Sequence, residues 1–321
     1  MRGLGTFVGF ALIFVLTAWT LSALIAVMRP VVGRRLRGLG PAAERRGAAL
    51  ATALPLLIAS TVVAILVARS VAGDDHCAAH DHHAHLCLAH GGAWAERSWA
   101  VALVAAAAAI TLARLALLGG ALLRGRRAVA QLRSASTAVE DVRLVDSPRP
   151  FCFVAGLRHA EIYASTSAWH GLALDERDAM LAHERGHVRH RDLAWRALLE
   201  VVSAFGAPMT PRPLLTRWEH ATERLRDAEA ADAVASPEAV AGAMVHMCRL
   251  GAAPLPSGLV GFAAAPAALD ERVRALLAGG PRGYRVATRL GAVGLVLMAV
   301  VGFAIATHAE PLHHALESLL G

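Results

Sequence analysis

Four stretches of this chain carry almost no charge and are long enough to leave water altogether: residues 4–28, 47–68, 98–118 and 290–307. Wound as helices at 1.5 Å per residue, each approaches or exceeds the ~30 Å of a bilayer's hydrocarbon layer. An apolar content of 56% over 321 residues could also describe a large soluble core. Its concentration into four runs implies instead a polytopic α-helical membrane protein with four transmembrane helices. The first run follows Arg2 as a signal peptide would, but it is too long and no small-residue cleavage site precedes the basic cluster. It is therefore expected to be a retained helix.

Arginine sets the expected orientation. The loop between the first two runs carries Arg29, Arg34, Arg35, Arg37, Arg45 and Arg46 against a lone Glu44, whereas loop 69–97 carries only Arg69 and Arg97 at its borders. The first loop is thus expected in the cytoplasm and the second outside, as in a multi-pass protein of a cell's inner (cytoplasmic) membrane with an external amino terminus. Arg124, Arg126 and Arg127 close the third run and place the chain from there to Arg289 in the cytoplasm. Three parts result: a membrane domain, 1–123; a cytoplasmic domain, 124–285; and residues 286–321, a fourth helix with a short external tail. The net charge of +7 comes without a single lysine. Its arginines gather at membrane borders, where they hold topology and meet anionic headgroups, so direct nucleic-acid binding is not implied. Arg114, inside the third run, is expected to snorkel to the cytoplasmic face.

The external loop holds the densest group of histidines, His76, His80, His82, His83, His85 and His90, among Asp74, Asp75 and Asp81. Such a tract reads as a transition-metal site or as a solvated polar loop, and its irregular spacing defines no single geometry. Cys77 and Cys87 lie within it and can close a disulfide in an oxidising compartment; Cys152 and Cys248 are expected reduced. An external metal, or the redox state of the two thiols, would be the natural signal for a chain whose other external part is a tail with His313 and His314.

The cytoplasmic part is built around His183-Glu184-Arg185-Gly186-His187, within an expected helix of residues 175–205. Histidines four apart on a helix aim both imidazoles the same way, as two ligands of one zinc ion require. Glu184, beside the first, is then placed as general base for the hydrolytic water. A second helix, about 213–235, carries Glu219, Glu223 and Asp227 at four-residue spacing. One carboxylate of this stripe can complete the zinc set, and another one turn on can orient a ligand histidine through its free ring nitrogen. Glu223 is the preferred third ligand, with Glu219 and Glu229 as alternatives; His190 and His220 read more simply as surface residues. Short β-like runs at 142–145, 151–154 and 161–163 precede the zinc helix. The edge of such a sheet could hold an extended peptide, although a purely structural hairpin fits these residues as well.

At these residues the chain resembles the BlaR/MecR-type integral-membrane metallopeptidases. The likeness is carried by Ala182 to Asp192, by Ala221-Thr222-Glu223-Arg224-Leu225-Arg226-Asp227, and by Glu271-Arg272-Val273-Arg274-Ala275-Leu276-Leu277. It implies a mainly helical α+β, gluzincin-like zinc peptidase domain, with His183, His187 and Glu223 binding one catalytic Zn2+, Glu184 as base and Asp227 behind a ligand histidine. It implies also a cytoplasmic protein substrate, such as a winged-helix repressor, and a signalling role in which the protein could form homo-oligomers. The family's antibiotic sensors carry an external penicillin-binding domain after the fourth helix, and here only about fourteen residues follow it, so a short variant is expected. Two other classes share these features: a housekeeping membrane protease of the CAAX-prenyl or heat-shock type, and a non-enzymatic metal receptor or transporter using the external loop.

Overall fold

A computed structural model describes residues 2–72, 97–208, 211–251, 260–261, 266–279 and 284–307. The histidine-rich loop, with Cys77 and Cys87, and the tail with His313 and His314, lie outside the described residues. Three helices are long and apolar enough to cross a bilayer, which marks a membrane-embedded protein. They are α1 (Arg2–Arg37), α2 (Pro41–Ala72) and α3 (Ser98–Ser134). A turn at Gly38-Leu39-Gly40 folds α2 back along α1, with Gly40 at φ 96°, a conformation that spares glycine the usual Cβ penalty.

α3 runs on well past its apolar stretch to Ser134, and a strand follows it almost at once. The reason is packing: Val129 and Leu132, beyond the arginine cluster, lie against the face of a sheet formed by Val145, Phe153 and Tyr163. That sheet contains β1 (Ser136–Val139), β2 (Val142–Val145), β3 (Cys152–Ala155), β4 (Glu161–Ser165) and, further along the chain, β5 (Val260–Gly261), in the order β1-β2-β4-β3-β5. β1 and β2 form a hairpin closed by Glu140 and Asp141, β2 and β4 are parallel, and β3 pairs antiparallel with both β4 and β5.

Alternation along β3 assigns its two faces. Phe153 and Ala155 point to the α3 side, while Cys152 and Val154 join the main core. That core is covered by α4 (Thr166–Gly171), α5 (Leu174–His190), α7 (Pro211–Val234), α8 (Pro237–Arg249) and α9 (Pro266–Leu277), and includes Ile162, Ala179, Met180, Val240, Met244 and Met247. Each large apolar side chain fully buried here contributes roughly 1.5–3 kcal/mol from the area removed from water. Between α5 and α7 the chain forms α6 (Asp192–Ser203). α10 (Tyr284–Thr307) packs lengthwise on α2: Arg46 donates to the Ala287 carbonyl at 2.9 Å, and Gly291 and Gly294 let the helix approach Arg46 and Leu50. Small residues allow such close contact between helices.

Candidate metal centre

α5 begins with the Glu176 carboxylate accepting the Ala173 backbone N–H at 3.2 Å, which satisfies one of the donors a helix start leaves over. It buries Ala179, Met180 and Leu181 against the sheet, and one turn later the same side carries His183, Glu184 and His187, all fully buried. The helix ends earlier than its apolar pattern suggests. Arg191 is left-handed, with φ 52° and ψ 43°, so the stretch read as one helix over 175–205 is two, α5 and α6. A left-handed arginine costs on the order of 1–2 kcal/mol, and the position of Asp192 gives the reason. On an unbroken helix Asp192 would sit about 140° around the axis from His187. The break brings its Oδ2 to 2.9 Å from His187 Nδ1.

α7 crosses α5 and supplies the carboxylates. The Nε2 atoms of His183 and His187 are 3.1 Å apart, and each lies 3.5 Å from one oxygen of Glu223. Tetrahedral ligands at 2.0–2.1 Å from one ion lie about 3.3 Å from one another, so these separations suit a single small cation. Within this group Glu223 alone keeps partial exposure, and the two imidazoles are sealed. Behind it, His183 Nδ1 lies 2.9 Å from Asp227 Oδ1, which mirrors His187 and Asp192. Each imidazole thus has one ring nitrogen turned to the common point and the other on a carboxylate, an arrangement that fixes tautomer and ring orientation and raises basicity.

The carboxylates are themselves held by buried arginines. Arg272 of α9 grips Asp227 at 2.8 and 2.5 Å and reaches Glu223 Oε2 at 3.1 Å. Arg226 of α7 donates to Asp192 at 2.7 Å and also binds Glu229. Gly186 makes room for it: a Cβ there would meet Arg226 Cδ at 2.9 Å. A third arginine, Arg45 of α2, reaches Asp192 Oδ1 at 2.8 Å and Thr222 at 3.1 Å, with its guanidinium over the Trp218 ring.

Burial and the neighbouring carboxylates act on the two imidazoles in opposite directions. Burial works against protonating His183, but Asp227 and Glu223 hold its pKa up to about 9. At His187 burial prevails and lowers the pKa. The carboxylates thus favour positive charge at His183 more than at His187. Burial alone would raise the two aspartates; Arg272 beside Asp227, and His187 and Arg226 beside Asp192, hold both down to about 2. Burial likewise pushes the Cys152 thiol of β3 up, and the charge of Glu184 adds to the effect.

The structure therefore brings His183, His187 and Glu223 to one point, with Asp227 behind them. The alternatives for the third carboxylate are engaged elsewhere. Glu219 is 2.7 Å from Arg196, Glu229 pairs with Arg226 and His190, and His220 is exposed. Asp192, Arg226, Arg272 and Arg45 were not singled out from the sequence. The last three carry no signal of their own among 32 arginines, but an acidic residue just after a charged His-x-x-x-His turn is a cue that Asp192 does give. No family model, no curated protein and no solved structure matches this chain.

Proposed function

We propose that this chain is a membrane-embedded zinc metalloendopeptidase of the BlaR/MecR-like kind, with α10 as a fourth membrane helix and the metal centre on the cytoplasmic side. The observation that carries the reading is the convergence of two imidazoles and one carboxylate at tetrahedral separations beside a buried glutamate. Two histidines and a glutamate fit zinc and leave a fourth position open. A zinc ion bound there would polarise the scissile carbonyl and acidify water. His183, His187 and Glu223 would hold it, and Asp227 and Asp192 would keep the imidazoles aimed. The Glu184 carboxylate would take a proton from the attacking water and return it to the departing amine nitrogen. The sheet packed on α5 has β1 and β5 as its outer strands among the described residues; a substrate strand could add to one of these outer edges by main-chain hydrogen bonds.

The substrate would be a cytoplasmic protein, with a repressor as the example the family likeness suggests. The experiment is a matched pair of variants in purified, detergent-solubilised protein. Glu184→Gln keeps stoichiometric zinc and loses peptide cleavage by at least a hundredfold, while His183→Ala loses both. Cleavage that persists in zinc-loaded Glu184→Gln overturns the peptidase reading.

A further inference from the structure

α6 leaves the metal centre and enters the group of membrane helices. Its first residue, Asp192, is held by Arg45 at the arginine-bearing end of α2. Its last turn is held much further along. Arg114 donates to the carbonyls of Ala204 and Gly206 at 3.1 and 3.0 Å, and Thr111 to that of Ala204 at 3.4 Å. Arg114 was expected to snorkel to the nearer surface; it instead satisfies the carbonyls that a helix leaves over at its C-terminal end, where a cation also suits the helix dipole. An arginine inside an apolar span is commonly matched with backbone carbonyls in this way.

The neighbours of this turn give its depth. Phe205 packs edge-on against Phe14, well inside the first span, with ring centroids 6.4 Å apart. Ser203, Gly206 and Leu214 line a small cavity with Ile25, Thr52 and Pro55. Pro55 lies ten residues along α2 from Arg45, and Arg114 ten residues before Arg124. Both intervals are about 15 Å of helix, and α6 itself is about 18 Å long. The three lengths agree: α6 descends from the arginine border to about the middle of a ~30 Å hydrocarbon layer.

One side of α6 packs on α2 and α7 through Leu199, which clusters with Ala48 and Trp218. Its charged residues are joined on that inner side, Arg196 with Glu200 at 3.4 Å and with Glu219 at 2.7 Å. Trp195, Leu198 and Val201, three residues apart, are 50%, 49% and 38% exposed. At the same level α3 exposes Leu112 and Leu117. We infer that α6 and the turn after it form a re-entrant hairpin with α7, inserted beside α2 and α3, and that lipid acyl chains cover the Trp195, Leu198 and Val201 face. An irregular turn is tolerated at such a depth only where protein satisfies its backbone, and Arg114 and Thr111 do this for Ala204 and Gly206. This proposal goes beyond the peptidase reading and requires neither metal nor cleavage.

Spin labels on Leu198→Cys and Val201→Cys test it, in full-length protein with Cys77, Cys87 and Cys248 replaced by serine and reconstituted in phosphatidylcholine vesicles. Native Cys248, exposed on α8, is labelled alone as the aqueous reference. Collision with oxygen should exceed collision with a water-soluble nickel chelate at 198 and 201 by several-fold relative to position 248. Preference for the chelate would mean an aqueous face, and protection from both reagents would mean a protein cover such as a second copy; either overturns the proposal. Trp195 supplies a measurement on the native side chain. Phospholipid brominated along its acyl chains should quench a fluorescence component that Trp195→Phe lacks, and equal quenching in the two proteins counts against insertion.

Discussion

The two imidazoles of the candidate metal centre are supported by the same device, but the supports are anchored in different parts of the molecule. His183 rests on Asp227, which Arg272 holds from α9, so this chain of contacts begins and ends within the domain that follows α3. His187 rests on Asp192, which Arg226 holds from α7 and Arg45 from α2. Both aspartates are buried, and each would be costly to bury without its arginines. The difference is that the arginine of one arm comes from that domain, whereas the other arm includes a side chain of a membrane helix. Glu44, next to Arg45, also ties α2 to α7 by pairing with Arg217 and Arg224, and α7 carries residues of both arms. Arg45 is the direct side-chain connection from α2 to the carboxylate behind His187.

The largest expected effects come from removing the aspartates. Asp227→Ala takes from Arg272 the carboxylate it grips with two nitrogens, and Asp192→Ala leaves Arg226 and Arg45 without their common carboxylate. Breaking a buried pair on one side costs roughly 3–5 kcal/mol, and losing the carboxylate behind a ligand histidine costs about 10–100-fold in metal affinity. Both variants should show lower thermal midpoints and weaker zinc retention against a chelator, and Asp192→Ala should be the more damaged because two cations lose a shared carboxylate, although Arg226 keeps Glu229. Damage no greater than that of the exposed Asp270→Ala at either site would remove the arm in question.

Acid should weaken both arms in one window. Each aspartate has a pKa of about 2 in the fold against 3.8 when unperturbed. A depressed carboxylate contributes its stability above the unfolded value and loses it as pH falls through the folded one. Unfolding midpoints of the wild-type chain should therefore fall between pH 3.8 and about 2 more steeply than those of Asp227→Asn or Asp192→Asn. Parallel curves would mean that the arginines do not hold these groups ionised.

How far this arrangement can be read from the sequence depends on the range of each interaction. Spacing along one helix is local, so the shared direction of His183 and His187, and the stripe of Glu219, Glu223 and Asp227, are visible in the residues themselves. Runs without charge are equally local, and three of them appear as helices able to span a bilayer. Which member of the stripe faces α5 depends on how two helices cross, and no periodicity contains that information. The break at Arg191 illustrates the limit well. Leu193 to Phe205 continues an apolar pattern, and arginine has no preference for a left-handed backbone, so only the tertiary demand for Asp192 beside His187 ends α5 there. Arg45 is harder still to read, since its partner lies 147 residues away and its local role, marking a membrane border, is a sufficient account of it. β5 is likewise too short to register as a strand and is defined by its pairing with β3.

The smallest expected effect is the one that best separates the two arms. Arg45 is partly exposed, and Asp192 keeps Arg226 and His187 when Arg45 is removed, so Arg45→Ala should cost only a few-fold in metal affinity, about 1 kcal/mol or less. The size alone would not distinguish a positioning role from loss of packing on Trp218. The conservative variant does. Arg45→Lys retains a cation near Asp192 but has no planar fork with which to reach Asp192 and Thr222 together. It should restore the fold's thermal midpoint while leaving metal affinity between that of wild type and Arg45→Ala. The spectrum of cobalt placed in the site reports ligand geometry directly and should shift in both Arg45 variants. The same substitution on the other arm, Arg272→Lys, should shift it further, because Arg272 also touches Glu223 itself. An Arg45→Ala protein whose cobalt spectrum and affinity equal those of wild type would disconnect α2 from His187 and leave both arms internal to the domain.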